Sequence, residues 1–391
     1  MIKTVKRVFL AFAVSVVTGL VCGMAGILFH KSIEVVTEIR DEYPFLIYLL
    51  PIAGIIIAAM YTYAKKYGSL NTMRVVSAIK DGKDVPFIMA PLIFVSSCIS
   101  HLCGASVGRE GAALQLGGSI GYKIGTLFKL PKEVKKFMAP VGMSAVFSAV
   151  FGTPLTASVF VVEAAGFPNI LILLCTLVSS FAAFFTSLLL GVAPVRFNIP
   201  GNNEYTLKFI LAVVITGIVC GIVSVIFNKT LKIAGIIFKR IFKSPYFMGM
   251  AGGVILICMT LIAGTYDYNG AGMKVIESAM MGEVFALAFL IKIIFTSVSV
   301  GAGFKGGEIV PTFFVGATLG CTLGKFLGIN TSVASALGFT ALFCGMVNCP
   351  ISSLIIAMEV FGFKMIPAFV IAVAVSYICS GKGGLYPGLK K

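Results

Sequence analysis

The sequence predicts an all-α, multi-pass membrane protein built from two copies of one motif in opposite orientations. Three observations carry this. The chain of 391 residues is 58% hydrophobic and only 12% charged, whereas a soluble domain carries about 25% charged residues. Apolar runs recur along its whole length. Three segments of the first half return in the second at nearly one offset, and the loops between matching segments carry opposite charge.

A spanning helix needs about 20 apolar residues. Runs near that length cover residues 8–29, 45–63, 87–103, 170–190, 209–227, 248–263 and 284–300. Shorter runs, broken by Gly or Pro, cover 112–128, 141–151, 155–167, 311–327, 334–347, 351–361 and 367–379. Short interrupted segments are typical of transporters, whose half-helices end at mid-membrane around a site. The start, "MIKTVKR", is basic, with no small-residue cleavage site after the run that follows. It predicts an uncleaved first helix. The chain closes on "YPGLKK" after the last run, so a single membrane domain, 1–391, is expected with no soluble C-terminal domain.

The net charge of +16 would point a soluble protein toward nucleic acid. Here the Lys and Arg residues lie between apolar runs, where they orient the chain by the positive-inside rule. The bilayer is the expected partner and nucleic acid is not. Ten cysteines lie in or beside apolar runs, and with His30 and His101 they show no metal-type spacing. They read as small buried residues, and no metal or cofactor is expected.

The repeat is specific. "TGLVCGMAGILFHK" at 18–31 matches "TGIVCGIVSVIFNK" at 216–229, a shift of 198. "FGTPLTASVFVVEAAGF" at 151–167 matches "VNCPISSLIIAMEVFGF" at 347–363, a shift of 196. "GSIGYKIG" at 118–125 matches "ATLGCTLG" at 317–324, a shift of 199. Residues 30–44 hold two basic and four acidic side chains, whereas the matching 228–246 hold five basic and no acidic ones. The next pair of loops reverses the bias: 64–86 carries Lys65, Lys66, Arg74, Lys80 and Lys83, and 264–283 carries only Lys274 beside Asp267, Glu277 and Glu283. Matching loops are therefore predicted on opposite sides of the membrane. That makes halves 1–200 and 201–391 an inverted repeat, with both basic termini in the cytoplasm and a site between the halves at the midplane.

One charged pair interrupts the apolar sequence. In "SVGREGAALQLGGSIG", Arg109 and Glu110 stand between Gly108 and Gly111. A charge in the bilayer costs roughly 2.5–3.5 kcal/mol on insertion scales, so function is the expected reason for keeping it. The helical-looking stretch that follows places Glu110 at a helix N-terminus, where free N–H groups and the positive dipole end attract anions. An ionised carboxylate can fill that place and a protonated one can leave it, which is the logic of coupled exchange. The plainer alternative is that Arg109 and Glu110 pair and cap a helix. The 199 shift sets "GAGFKGGEIVPTFFVGATLG" at 301–320 opposite this stretch, with Glu308 near a second Gly-rich helix start and Lys305 adding positive field. Glu308 reads either as a second pore carboxylate or as a cap. Glu163 and Glu359, at one repeat position, read as architectural. Lys292, alone in "ALAFLIKIIF", either snorkels or pairs with a carboxylate.

"GREGAALQ", "GMSAVFSAVFGTPLTASVFVVE" and "GGEIVPTFFVGATLG" resemble the CLC anion channel and transporter family over nearly the whole chain. The resemblance implies a CLC-type inverted repeat of about 18 tilted, partly non-spanning helices, a homodimer, and one anion path per subunit. It makes Glu110 the gating glutamate and maps the family's pore tyrosine onto Tyr386 in "GGLYPGL". It implies anion contacts at the two helix starts, Gly108, Arg109 and Gly111 on one and Ile309 and Val310 on the other.

The departures from the family are informative. The usual Gly-Arg-Glu-Gly-Pro ends here in Ala112. The Ser-Gly-Ile-Pro of chloride members falls on "SLNTMRVVSAI", placing Asn71 or Met73 at the ion. The second glutamate of chloride/proton exchangers is Ala164. The usual Gly-x-Phe-x-Pro is Gly307-Glu308-Ile309-Val310-Pro311. A Met in the first motif and a Glu in the last resemble the bacterial fluoride/proton antiporter branch, whose relatives often carry a hydroxyl where this chain has Val310.

That branch implies export of fluoride from the cytoplasmic membrane in exchange for protons, with Glu110 and Glu308 in the path. Fluoride is small and a strong hydrogen-bond acceptor, so close backbone amides and neutral carboxylic acids suit it. The alternative within the family is a chloride or halide channel or chloride/proton antiporter. A remote alternative, an intramembrane enzyme, rests on Ser144 in "GMSA", which lacks the following Gly and a partnered His.

Overall fold

The computed structural model describes residues 2–68, 70–72, 74–75, 84–166, 169–199, 205–381 and 384–385. Among these are fifteen α-helices and two 3-10 turns, against the about 18 helices expected. In chain order they are α1 (Ile2–Glu42), α2 (Leu50–Ala64), α3 (Met89–Leu102), α4 (Glu110–Leu127), α5 (Lys132–Phe151), α6 (Pro154–Ala165), α7 (Ile170–Leu189), α8 (Leu207–Ile241), α9 (Pro245–Ala263), α10 (Met273–Met280), α11 (Ala288–Gly301), α12 (Ile309–Leu327), α13 (Thr331–Val347), α14 (Pro350–Phe361) and α15 (Ile366–Ser380).

Among the described residues seven helical segments are long and apolar enough to cross a membrane: Val8–Glu42, Pro44–Tyr67, Val134–Phe151, Ile170–Leu189, Leu207–Ile241, Pro245–Ala263 and Ile309–Leu327. They differ from the seven long apolar runs in two matching places. Runs 87–103 and 284–300 yield only the 14-residue α3 and α11. Each stops just before a glycine in the left-handed region, Gly104 at φ +85° and Gly303 at φ +97°, a conformation that ends a helix. In their place α5 and α12 reach spanning length. The first turns of α5 carry Lys132, Lys135 and Lys136, which hid its start from an apolar count. At 1.5 Å per residue, the 41-residue α1 is about 60 Å long, twice the hydrocarbon thickness, so it tilts or projects.

The order of elements repeats. Helices α1 to α7 recur as α8, α9 and α11 to α15, and the residues that the repeat offset matches to α10 lie largely outside the described set. The packing repeats with the order. Helices α4 and α5 touch backbone to backbone at Gly117 and Gly142, and α12 and α13 do so at Gly316 and Gly338; a Cβ on any of the four would collide with the facing carbonyl. Helices α5 and α13 end on left-handed Gly152 and Asn348, and Pro154 and Pro350 start the next helix two residues later.

The two glutamates near the ends of those next helices exchange roles. Glu163 accepts from the N–H groups of Ile351 (3.1 Å) and Ser352 (2.8 Å) and from the Ser352 hydroxyl. Glu359 accepts from the N–H groups of Leu155 (3.0 Å) and Thr156 (2.9 Å) and from the Thr156 hydroxyl at 2.6 Å. Each carboxylate satisfies the orphan donors at the start of the other's helix, the architectural role that the repeat position predicts.

Most cysteines are buried, but Cys258 and Cys379 face outward, on helices whose outer faces are apolar. The Ser144 hydroxyl donates to the Val141 carbonyl at 3.0 Å inside α5; its proton is engaged in the helix.

Candidate functional site

The α3–α4 and α11–α12 connections meet between the repeats. Ser106 N–H donates to Ser299 Oγ at 2.9 Å, and at the matching position Lys305 N–H donates to Ser100 Oγ at 3.1 Å. Each connection is thus tied to the short helix of the other repeat. Beyond these ties the backbones touch: Gly108 and Gly307 form an isolated antiparallel bridge, with N–H to carbonyl bonds of 2.6 Å in both directions. An antiparallel bridge between matching residues fits a two-fold relation between the repeats.

Two helices start from this bridge. Glu110 is the first residue of α4 and is fully buried. Its Oε2 accepts from the Arg109 N–H at 3.1 Å, and its Oε1 lies 3.5 Å from Arg109 Nε. The carboxylate therefore turns back over its own helix start, as an anion at a positive dipole end should. Glu308 is the N-cap residue of α12 and is half-buried. A Cβ on Gly111 would stand 2.7 Å from Gly307 Cα and 3.7 Å from Glu308 Oε2. A Cβ on Gly108 would stand 3.0 Å from both Glu110 Oε2 and the Pro311 ring. The two carboxylates thus flank one glycine clasp, each close to the other repeat's helix start. Only residues without side chains permit this approach.

The cations are distributed to either side. Arg109 lines a cavity of about 710 Å³ that opens among the acid-rich loops at 30–44 and 264–283. Val310 lines it too, while Ile309 is fully buried. Lys305 stacks its ammonium 4.2 Å from the Tyr61 ring centroid, near the end of α2 that carries Lys65 and Lys66. The vestibule has a wall that sequence reasoning missed. Lys292, fully buried, neither snorkels nor meets a carboxylate. Its ammonium donates to the carbonyls of Tyr268 (3.1 Å) and Gly270 (2.8 Å) and lies 4.9 Å from the Phe314 ring. Asn269 Nδ2 donates to the Gly104 carbonyl at 2.9 Å. A lone Lys in an apolar run was the available signal; its partners are backbone carbonyls, which no pattern of charges reveals.

The remaining predicted residues divide. Glu110, Glu308, Gly108, Arg109, Gly111, Ile309 and Val310 come together. Asn71 does not join them: its side chain is exposed, and its Oδ1 accepts from the Arg74 N–H at 3.0 Å, as a helix cap would. Its neighbour Thr72 does touch α4, accepting from Gln115 Nε2 at 3.1 Å. Met73 and Tyr386 lie outside the described residues.

Residues 54–381 match the voltage gated chloride channel family. The chain belongs to that family, the CLC proteins. It is similar to the chloride/fluoride channel protein of Pseudomonas syringae pv. tomato, at 33% identity over 96% of this chain and 85% of that one. It is 24% identical to the H(+)/Cl(-) exchange transporter ClcA of Yersinia pestis, over 97% of this chain and 86% of that one. Among solved structures it superposes on a CLC-type fluoride/proton antiporter with a TM-score of 0.93 and 28% identity, covering 97% of both chains. A slow cyanobacterial Cl-/H+ antiporter shares the fold at a TM-score of 0.83 and 18% identity, over 95% of this chain and 94% of that one. The protein is thus a multi-pass membrane protein with the CLC fold.

Proposed function

We propose that this CLC protein exports fluoride across the cytoplasmic membrane in exchange for protons. The observation that carries the reading is the glycine clasp at Gly108 and Gly307, flanked by Glu110 and Glu308. Backbone amides at two converging helix starts give a small anion close donors, and the buried acid at the first of them supplies a proton carrier that competes with the anion for the same place. Protonated, Glu110 leaves the amides to the anion; ionised, it excludes the anion. Glu308 lies in the path as a second acid able to donate a hydrogen bond to fluoride when neutral. Likeness to a CLC-type fluoride/proton antiporter supports fluoride as the anion, and likeness to a chloride/fluoride channel protein is compatible with either anion.

In this reading halves 1–200 and 201–391 form an inverted repeat around one anion path in each subunit of a homodimer. Both termini face the cytoplasm, and the vestibule, whose neighbouring loops are acidic, opens to the other side.

A chloride or halide channel of the same family is the alternative, favoured by one observation: Glu163 is occupied as a helix cap, and the residue after it is Ala164. Efflux from liposomes holding the purified protein separates the two. Fluoride release with matching proton uptake and little chloride release is expected. Equal release of both anions without proton movement would mean the channel.

A further inference from the structure

We infer that His101 relays protons between the vestibule and Glu110. The inference rests on Glu110 being the protonatable gate and adds the route by which its proton arrives.

His101 stands in the last turn of α3, is 1% exposed, and lines the 710 Å³ cavity. Its Nδ1 lies 2.8 Å from the Ser97 carbonyl oxygen. A carbonyl only accepts, so Nδ1 carries the hydrogen of the neutral ring and Nε2 is a bare lone pair. That Nε2 is buried and has no hydrogen-bond partner among the described residues. A buried acceptor in this state needs water or a proton to reach it, and the cavity is the space from which either can come. Among the described residues Glu110 Oε1 is also a buried acceptor without a hydrogen-bond partner, as is His30 Nδ1 in the cavity wall. Arg109 links His101 to Glu110: it lines the cavity with His101, its Nε is 3.5 Å from Glu110 Oε1, and its charge acts on both groups.

The charges around His101 favour relay over storage. Arg40 from α1, Arg109 from the α3–α4 connection and Lys292 from α11 act on it, and Arg40 Nη1 also donates to its backbone carbonyl at 3.3 Å. The cavity's other imidazole, His30, has its Nε2 3.8 Å from Glu34. Burial and these three cations disfavour a proton resting on the His101 ring, so it passes on to an acceptor, and the Glu110 carboxylate beyond Arg109 is one. The same cations oppose passage of free hydronium as far as Glu110, and hydronium is scarce at neutral pH, so a base that takes its proton at the vestibule and hands it on helps most there. The steps balance. A cavity hydronium gives its proton to Nε2 and becomes water, and the ring becomes imidazolium with its Nδ1–H still on Ser97. Nε2 then passes a proton through cavity water to the Glu110 carboxylate, leaving a neutral acid and a neutral ring.

The test uses the full chain in liposomes, recording fluoride efflux and proton uptake while the vestibule-side pH is varied. H101A leaves room for a free imidazole; H101Q keeps an acceptor at the ring's far end without its basicity. Near pH 7.5 both variants should exchange about a hundredfold more slowly than the wild type, the lower end of general acid–base effects. Near pH 5.5 hydronium replaces the relay and both should approach the wild-type rate. Millimolar imidazole should restore H101A near pH 7.5 and leave H101Q slow. A wild-type rate in either variant near pH 7.5 overturns the relay. So does a slow rate in H101Q that acid does not relieve, which is also the decisive reading should H101A fail to fold. Undiminished proton coupling in E110Q would instead remove the gate reading on which the relay depends.

Discussion

Gly108 and Gly307 exchange two backbone hydrogen bonds of 2.6 Å, and this clasp sets the distance between the two helix starts of the site. Its neighbours cannot yield. A methyl on Gly307 would overlap the Gly111 amide nitrogen and stand 2.8 Å from Gly111 Cα, and both are backbone atoms. Overpacking of this kind costs about 1–3 kcal/mol. G307A should therefore lower the melting temperature in detergent and slow fluoride efflux by about tenfold or more. Gly235 is the matched control, since nothing lies within 4 Å of a Cβ added there. G235A should melt at or above the wild-type temperature, because Ala is the better helix residue. Equal behaviour of the two variants would show that the clasp does not constrain the site.

How much of this was legible in the sequence depends on what each feature is made of. Glu110 and Glu308 stood out because a carboxylate beside glycines in an apolar chain is too costly to keep without a role. The pairing of their segments followed from an offset that the Pro-x8-Glu and Gly motifs share, and the reciprocal caps of Glu163 and Glu359 realise it. The ends of α3 and α11 were not legible. Hydropathy counts apolar side chains and is blind to the left-handed turns at Gly104 and Gly303. The vestibule was invisible for a different reason. Arg40, the His101–Arg109 stretch and Asn269 come from three segments far apart in the chain, and only the folded backbone assembles them.

Glu110 is the residue on which proton coupling should depend. E110Q keeps the size and the hydrogen-bonding oxygen but can neither ionise nor carry a proton. It should abolish proton uptake during fluoride efflux, by at least about a hundredfold relative to the wild type, in line with the loss of a general acid–base group. Proton and fluoride fluxes recorded together decide this. Persistence of normal coupling would make the contact with Arg109 a helix cap and nothing more.

Glu308 should govern which anion passes. Its carboxylate lies beside Gly111 at the start of α4, with Lys305 nearby. E308A removes a hydrogen-bond donor that suits fluoride far better than a larger, softer anion. Fluoride turnover should fall by about tenfold, and the fluoride-to-chloride ratio should narrow by a similar factor, equivalent to about 1.4 kcal/mol of discrimination. Competition between the two anions in one liposome assay measures the ratio directly. An unchanged ratio would demote Glu308 to a cap of α12.

Glu359 and Glu163 should behave as structural residues. Each receives two backbone N–H bonds and a hydroxyl bond from the other repeat. Hydrogen bonds to a charged group contribute roughly 1.5–3 kcal/mol each, and these groups are half-buried, so the net loss should be smaller than their sum. E359A and E163A should each destabilise by about 2–3 kcal/mol, read as a lower denaturation midpoint. Protein that remains folded should keep its proton-to-fluoride ratio. A changed ratio in folded E163A would show that this residue takes part in proton movement.

Lys292 has a role that its charge alone does not reveal. Its ammonium holds the carbonyls of Tyr268 and Gly270, so it fastens the 268–272 segment that forms one wall of the vestibule. K292M preserves the length and apolar stem, including contact with Phe314, while removing both donors and the charge. The two carbonyls then lose their partner in a buried place, at a cost of about 1–3 kcal/mol for each acceptor left unsatisfied. Part of that loss is recovered if water from the vestibule reaches them, and the segment must loosen for it to do so. Hydrogen exchange at residues 266–273 should therefore rise well above that of the α12 core, whose amides serve as the internal reference. Fluoride efflux should slow as well, since a cation is lost beside the vestibule, where Arg40 and Arg109 also contribute. K292R keeps the charge but forces a larger head into a closed place, so it should restore the rate only partly. If exchange at 266–273 stays at the wild-type level in K292M, the two hydrogen bonds do not hold the wall. A slowed efflux would then have to be assigned to the missing charge alone.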